Sequence, residues 1–179
     1  EAMFEDLYAS DLNGSEVDRG MAARVVENKR SHVQGSMVQT DGTLDLAVNG
    51  RGMFMLGPLP GSTDLAYTRD GSFSLTKDGE IISFDGRSLL DVNKEPIKVP
   101  MQDNEGRILA GMKIDYTGQI LVSYGAGSES PLAQVGMAAF DNPAALQSGG
   151  QGQFFETVEA SMVSNVGWQD RSAGFGRIE

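Results

Sequence analysis

Short apolar stretches separated by glycine-bearing turns run through most of this chain. In "LDLAVNGRGMFML" (44–56), Leu44, Leu46 and Val48 alternate with polar residues, and apolar character resumes after Asn49-Gly50 at Met53-Phe54-Met55. Asn-Gly between two apolar alternations predicts a hairpin, because both residues tolerate the positive φ of a tight turn. The stretch "YTRDGSFSLTKDGEIISFDGRSLL" (67–90) follows the same logic, with Asp-Gly pairs at 70–71, 78–79 and 85–86. Phe73 and Leu75 alternate with serines, and Ile81-Ile82 and Phe84 follow the next turn, which is the pattern of short meandering strands. Further turns are expected at Glu105-Gly106 and Thr117-Gly118. "GQILVSY" (118–124) and "LAQVGMAAF" (132–140) read as buried strands, and Pro58, Pro60, Pro96 and Pro100 mark strand ends or edges.

Two segments carry helical signals. "EAMFEDLYA" (1–9) places Met3, Phe4, Leu7 and Tyr8 at helical spacing, and Asn13-Gly14 ends that pattern. In "FDNPAALQSGG" (140–150), Asn142 is a candidate cap, Pro143 suits the first helical position and Gly149 can end the helix in the left-handed region. Between them, residues 20–40 read as strand around Val25-Val26, Val33 and Met37-Val38. The expected fold is mainly β, a multi-hairpin domain with one or two short helices. It divides into a helix and extended lead-in (1–43), a hairpin-rich body (44–140), and a short helix with an extended C-terminal segment (141–179).

Composition narrows the function. At 179 residues the chain can bury a real core, and no run approaches the roughly 18 apolar residues of a membrane span. No signal-peptide pattern opens it, and the first residue is Glu1 rather than Met, so a piece of a longer protein is expected. A net charge of −11, with 14 scattered basic residues, argues against nucleic acid, whose phosphates reward clustered Lys and Arg. Cysteine is absent, which removes disulfides and thiolate chemistry.

No catalytic, cofactor-binding or metal residues are assigned. His32, the single histidine, has no glycine elbow to present a serine to it, and a structural or surface histidine is expected. "DNEG" (103–106) has a calcium-loop flavour without the regular acidic spacing, so it reads as an ordinary turn. Acid pairs such as Asp6/Asp11 and Glu156/Glu159 discriminate nothing among 25 acidic residues. "GAG" (125–127), "GGQG" (149–152) and "GFG" (174–176) lack the strand-to-helix context of a phosphate loop. "NGS" (13–15) matches a glycosylation sequon by form only, and Trp168 and the 9 methionines read as core or interface residues.

These pieces, in this order, resemble the bacterial flagellar rod and hook proteins. "LDLAVNGRGMFML" resembles that family's L-D-hydrophobic-A-hydrophobic-x-G-x-G-F-F signature, with Met53 where Phe is usual. "YTRDGSF" and the following Asp-Gly turn resemble the segment after it, and "HVQGSMVQTDGT" resembles its approach, with His32 in place of an aromatic. "FDNPAALQSGGQGQFFETVEAS" is similar to the block F-x-N-P-x-G-L followed by G-G-N-x-F/Y-x-E-T. Ala145 replaces the expected Gly there, and Gln151-Gly152-Gln153 departs from the Gly-Gly-Asn run. "GFGRIE" resembles the lead-in to the C-terminal helix.

The resemblance implies the β outer body of an axial subunit, without the terminal helices that form the inner tube. Its implied duty is structural: self-assembly into a helical tube that transmits torque from motor to hook, in the basal body outside the cytoplasm. Implied partners are copies of itself, neighbouring rod and hook proteins and the ring proteins around the rod, with no membrane insertion. Tyr67 to Phe140 spans 73 residues (140 − 67), too few for the inserted domains of hook proteins, so a rod protein of the distal type is expected. The alternatives are a proximal rod protein or a hook protein with reduced outer domains. From other classes come a β-rich carbohydrate- or peptide-binding module, which needs an exposed aromatic platform, and a hydrolase, which needs convergent acids in a pocket. The piece alone is expected to be monomeric.

Overall fold

The computed structural model describes residues 2–5, 24–28, 42–50, 52–160, 162–164 and 177–178. The chain forms two compact units, Glu1–Val33 and Gln34–Glu179.

In the first unit, β1 (Ala2–Glu5) pairs antiparallel with β2 (Arg24–Asn28), from Ala2↔Asn28 to Glu5↔Arg24 with a bulge between Met3 and Phe4. The helix expected over 1–9 is therefore absent at 2–5. Nine residues ending at Asn-Gly are too few to sustain an isolated helix, and pairing with β2 satisfies the same backbone groups.

The second unit is built around a six-stranded antiparallel sheet of order β12-β13-β5-β4-β11-β14. Its strands are β4 (Met53–Leu56), β5 (Ala66–Thr68), β11 (Met137–Phe140), β12 (Gln147–Gly150), β13 (Gln153–Phe155) and β14 (Met162–Ser164). The central strands are buried on both faces. Phe54, Leu56, Ala66 and Met137 pack into one apolar cluster; Met53, Met55, Tyr67, Ala138 and Phe140 pack into the other. The registers Phe54↔Met137, Met53↔Ala138, Leu56↔Ala66 and Met55↔Tyr67 keep each set on its own face, as the two-residue period of a strand requires. Edge-to-face aromatic pairs anchor each side: Phe54 with Phe73 at 5.3 Å and Tyr67 with Phe140 at 4.8 Å between ring centres.

Against this sheet lie the hairpin β6 (Phe73–Leu75) with β7 (Ile81–Ser83) and the three-stranded sheet β10-β9-β8. The latter comprises β8 (Leu109–Ile114), β9 (Gln119–Tyr124) and β10 (Ser130–Gln134). Ile120 and Val122 carry the buried face of β9 into the first cluster. A short ladder, β3 (Val48–Asn49) with β15 (Arg177–Ile178), completes the unit.

Several expectations need correcting. Asn49-Gly50 does not close a hairpin: β3 pairs with β15, while β4 pairs with β5 and β11. Nor does Asp70-Gly71, because β5 and β6 belong to different sheets. Instead, a Cβ on Gly71 would lie 1.6 Å from the Leu46 carbonyl oxygen, so glycine is required there for close approach of two backbones. The run 132–140 is two strands in two sheets, β10 and β11. It crosses at Gly136, where a Cβ would meet the Asp91 carbonyl oxygen at 2.3 Å. The helix at 143 shrinks to one 3₁₀ turn, Pro143–Ala145; Asn142 contributes no side-chain cap, and Gly149 lies in β12. Three residues before a strand cannot meet the cost of nucleating an α-helix. Finally, β13, β14 and β15 pair with β5, β11 and β3, strands far back along the chain.

Candidate interaction surface

Five turns of one kind punctuate the region between β6 and β9. They occupy 76–80, 83–87, 91–95, 103–107 and 115–119, reading TKDGE, SFDGR, DVNKE, DNEGR and DYTGQ. In each, the first residue's amide donates to the fifth residue's carbonyl (2.9–3.0 Å), and the fourth residue's amide donates to the first's carbonyl (2.9–3.1 Å). The fourth position is left-handed throughout: φ is +80° at Gly79, +86° at Gly86, +66° at Lys94, +77° at Gly106 and +76° at Gly118. This is the three-residue hairpin loop, a type I turn followed by a left-handed residue.

The first residue's side chain reinforces the turn. Asp91, Asp103 and Asp115 each accept, through Oδ1, the amides two and four residues on, at 2.7–3.0 Å. Thr76 Oγ1 accepts the Glu80 amide at 3.0 Å. Burial alone would raise the Asp115 carboxyl, but bonds from Thr117 and the Gln119 amide, with nearby Lys113, hold it below the ordinary value. Asp103 is lowered in the same way, with Arg107 as its charge partner at 2.6 Å, so "DNEG" is an ordinary turn whose carboxylate is already engaged.

The second turn is fastened to the main sheet. Arg87 is buried; its Nη1 donates to the carbonyls of Gly57 (3.0 Å) and Asp64 (3.3 Å), and its guanidinium lies 5.5 Å from the centre of the Phe155 ring. Its Nε sits 3.2 Å from Asp85 Oδ2, an ion pair outside hydrogen-bond alignment. Burial raises the Asp85 carboxyl, but bonds from Ser83 and Gln153, its own backbone and the Arg87 charge together bring it below the ordinary value. On the opposite cluster Tyr67 donates to Glu156 Oε2 at 3.4 Å. Burial, then the Glu156 charge, pushes its phenol far above the ordinary value of 10.0.

The perturbed acids are thus dispersed, each closing its own turn. An apolar groove of about 400 Å³ runs between residues 42–45, β6 and β8, and Asp45 is the one titratable residue lining it. Among the described residues no group of three or more His, Cys, Asp or Glu could hold a metal ion, and no helix is long and apolar enough to cross a membrane. The exposed large apolar side chains sit mostly on turns and loops: Phe84 and Tyr116 are the second residues of their turns, and Val158 is in the loop after β13.

Of the residues weighed from sequence, His32, Asp6, Asp11, Trp168 and the "NGS" and "GFG" stretches lie outside the described residues. Glu156 binds Tyr67 and the Met162 amide, and Glu159 is exposed. "GGQG" forms the β12–β13 hairpin, with Gln151 (+52°) and Gly152 (+74°) between the paired Gly150 and Gln153, a type I′ turn. Sequence reading found four of the five turns by their glycines and missed 91–95. Its signal was an oxygen-bearing first residue, Asp91, and a polar fifth, Glu95, the frame the other four turns also carry.

Residues 47–122 match the family model of the flagellar hook protein FlgE/F/G D1 domain. The chain is 31% identical over 170 residues to the flagellar basal-body rod protein FlgG of Buchnera aphidicola subsp. Acyrthosiphon pisum, covering 87% of this chain and 60% of the relative. It is 30% identical over 158 residues to FlgG of Agrobacterium fabrum (88% and 55%) and 26% over 167 residues to FlgG of Bacillus subtilis (93% and 59%). The chain thus spans between 55% and 60% of the length of these relatives.

Proposed function

We propose that the chain belongs to the flagellar rod and hook protein family and is the β body of a rod subunit of the distal type. What carries the reading is extent: similarity to rod proteins named FlgG covers 84–93% of the chain, whereas a FlgF relative covers 56%. In this role the body packs against copies of itself in a helical tube, between other rod proteins and the hook and within the surrounding rings. It sits in the basal body and carries torque without catalysis. Head-to-tail contacts that do not close produce such an array.

The physical build supports a load-bearing part. A sheet whose central strands are buried on both faces gives a stiff centre, and turns locked by two backbone bonds each limit fraying at the surface. The acids with lowered pKa are committed to turns, which leaves no convergent pair for acid–base chemistry among the described residues. The test is deletion of the gene in the source organism, followed by electron microscopy of purified basal bodies. Rods that stop short and lack hooks are expected; complete basal bodies with hooks would refute the assignment. The 179-residue chain alone should sediment as a monomer at micromolar concentration.

A further inference from the structure

We propose that the tips of the 91–95 and 115–119 turns form a contact surface that receives an acidic face of a second copy of this chain. The inference rests on the self-assembly reading above. Gln134 brings the two turns together: its carbonyl accepts the Val92 amide at 3.3 Å, and its Nε2 donates to the Thr117 carbonyl at 3.1 Å. The next residues continue the seam, with Val135 donating to the Gly118 carbonyl at 2.8 Å and Gly136 to that of Leu90 at 2.8 Å.

Two features of this seam are unexplained by the fold. Lys94 holds a left-handed conformation (φ +66°) at the position where the four sister turns use glycine. A side chain there costs stability, and strain of this kind persists where the residue serves something beyond folding. The Lys94 side chain is exposed and, among the described residues, has no ion-pair partner; the described pairs use Arg87, Lys98, Arg107 and Lys113. On the adjoining turn, Tyr116 leaves 65% of its surface in solvent at the second position. A rigid amphipathic ring on one turn and a cation on the other is the composition of an interface anchor.

Charge selects the occupant. The chain carries 25 acidic and 14 basic residues, so two copies repel except where an exposed cation meets carboxylates. A strained lysine kept at a turn tip supplies that cation, and the rest of the surface supplies the acids.

The test uses the full-length protein in a pelleting assay at low and high salt, with Lys94→Gln, Lys94→Gly, Tyr116→Ala and the control Lys77→Gln, on the tip of the sister turn 76–80. Lys94→Gln and Tyr116→Ala should raise the concentration needed for pelleting about five- to tenfold. Lys94→Gln should also flatten the salt dependence, and Lys77→Gln should do neither. Lys94→Gly should melt higher than the wild type while assembling less well, an opposition that simple misfolding cannot produce. If the wild type pellets and the Lys94 and Tyr116 variants match it, this surface is refuted and the rod reading stands. A full-length wild type that stays monomeric removes the rod reading and this surface with it.

Discussion

Lys94 and Gln151 are the non-glycine residues with positive φ among the described residues, and each stands where the local geometry favours another residue. Gln151 opens a type I′ turn, whose first position prefers Asn because its short side chain tolerates the left-handed region. Gln151→Asn should raise stability by about 0.5–1 kcal/mol, read as a higher urea midpoint at unchanged slope. Arg87 presents the opposite case. Its guanidinium bridges the second turn to the carbonyls of Gly57 and Asp64 while facing a largely buried Asp85. Arg87→Leu leaves that carboxylate without its cation and two carbonyls without a donor, and should cost about 3 kcal/mol. Urea melts of Arg87→Leu and Asp85→Asn decide it; an arginine variant as stable as the wild type would deny the bridge its structural role.

At the level of the element, the five turns show how much a short motif encodes. Glycine at the fourth position was visible in four of them, and the frame of an oxygen-bearing first residue and a polar fifth is common to all. The cost of replacing that glycine depends on what lies beyond the turn. A Cβ on Gly106 meets open space, so Gly106→Ala should cost about 1 kcal/mol for the left-handed backbone alone. A Cβ on Gly79 would stand 2.0 Å from the Val99 carbonyl oxygen, whose residue also donates its amide to the Gly79 carbonyl at 2.7 Å. Gly79→Ala should therefore be clearly the worse of the two in thermal melts, since the 97–99 segment must move. Equal losses would show that the neighbouring backbone yields freely. The 49–50 and 70–71 pairs carry the same dipeptide signal without making hairpins. Turn chemistry fixes local φ, but pairing needs a partner strand, and here the partners lie far along the chain.

For the whole molecule, the titrating groups set a stability window. Asp85, Asp103 and Asp115 have folded pKa values below the ordinary 3.8. An acid lowered by folding contributes stability above its unfolded pKa, and that contribution is lost as pH falls through the folded value. Tyr67 is raised above 10.0, so its contribution is present below that pH and is lost as pH climbs through the folded value. The melting temperature should be level from about pH 4 to pH 10 and fall on either side. Tyr67→Phe should soften the alkaline fall, and Asp115→Asn the acid one; pH-dependent melts of both variants check the assignment.

The sequence by itself determined the β character and the positions of most turns, because glycine placement and apolar patterning are local properties that survive without knowledge of the fold; its motifs also carried the resemblance to the rod and hook proteins. The apolar run of β4 was legible, but not which strands flank it and cover each of its faces, since those partners lie far along the chain. Tertiary structure alone decided that β3 joins β15, that 132–140 splits between two sheets at Gly136, and that Gly71 is demanded by the Leu46 backbone rather than by a hairpin. It also decided that 91–95 closes a fifth turn through a left-handed Lys94, since this turn lacks the glycine that marks the other four. Local residues specify which conformations are cheap; long-range packing decides which of the costly ones are kept.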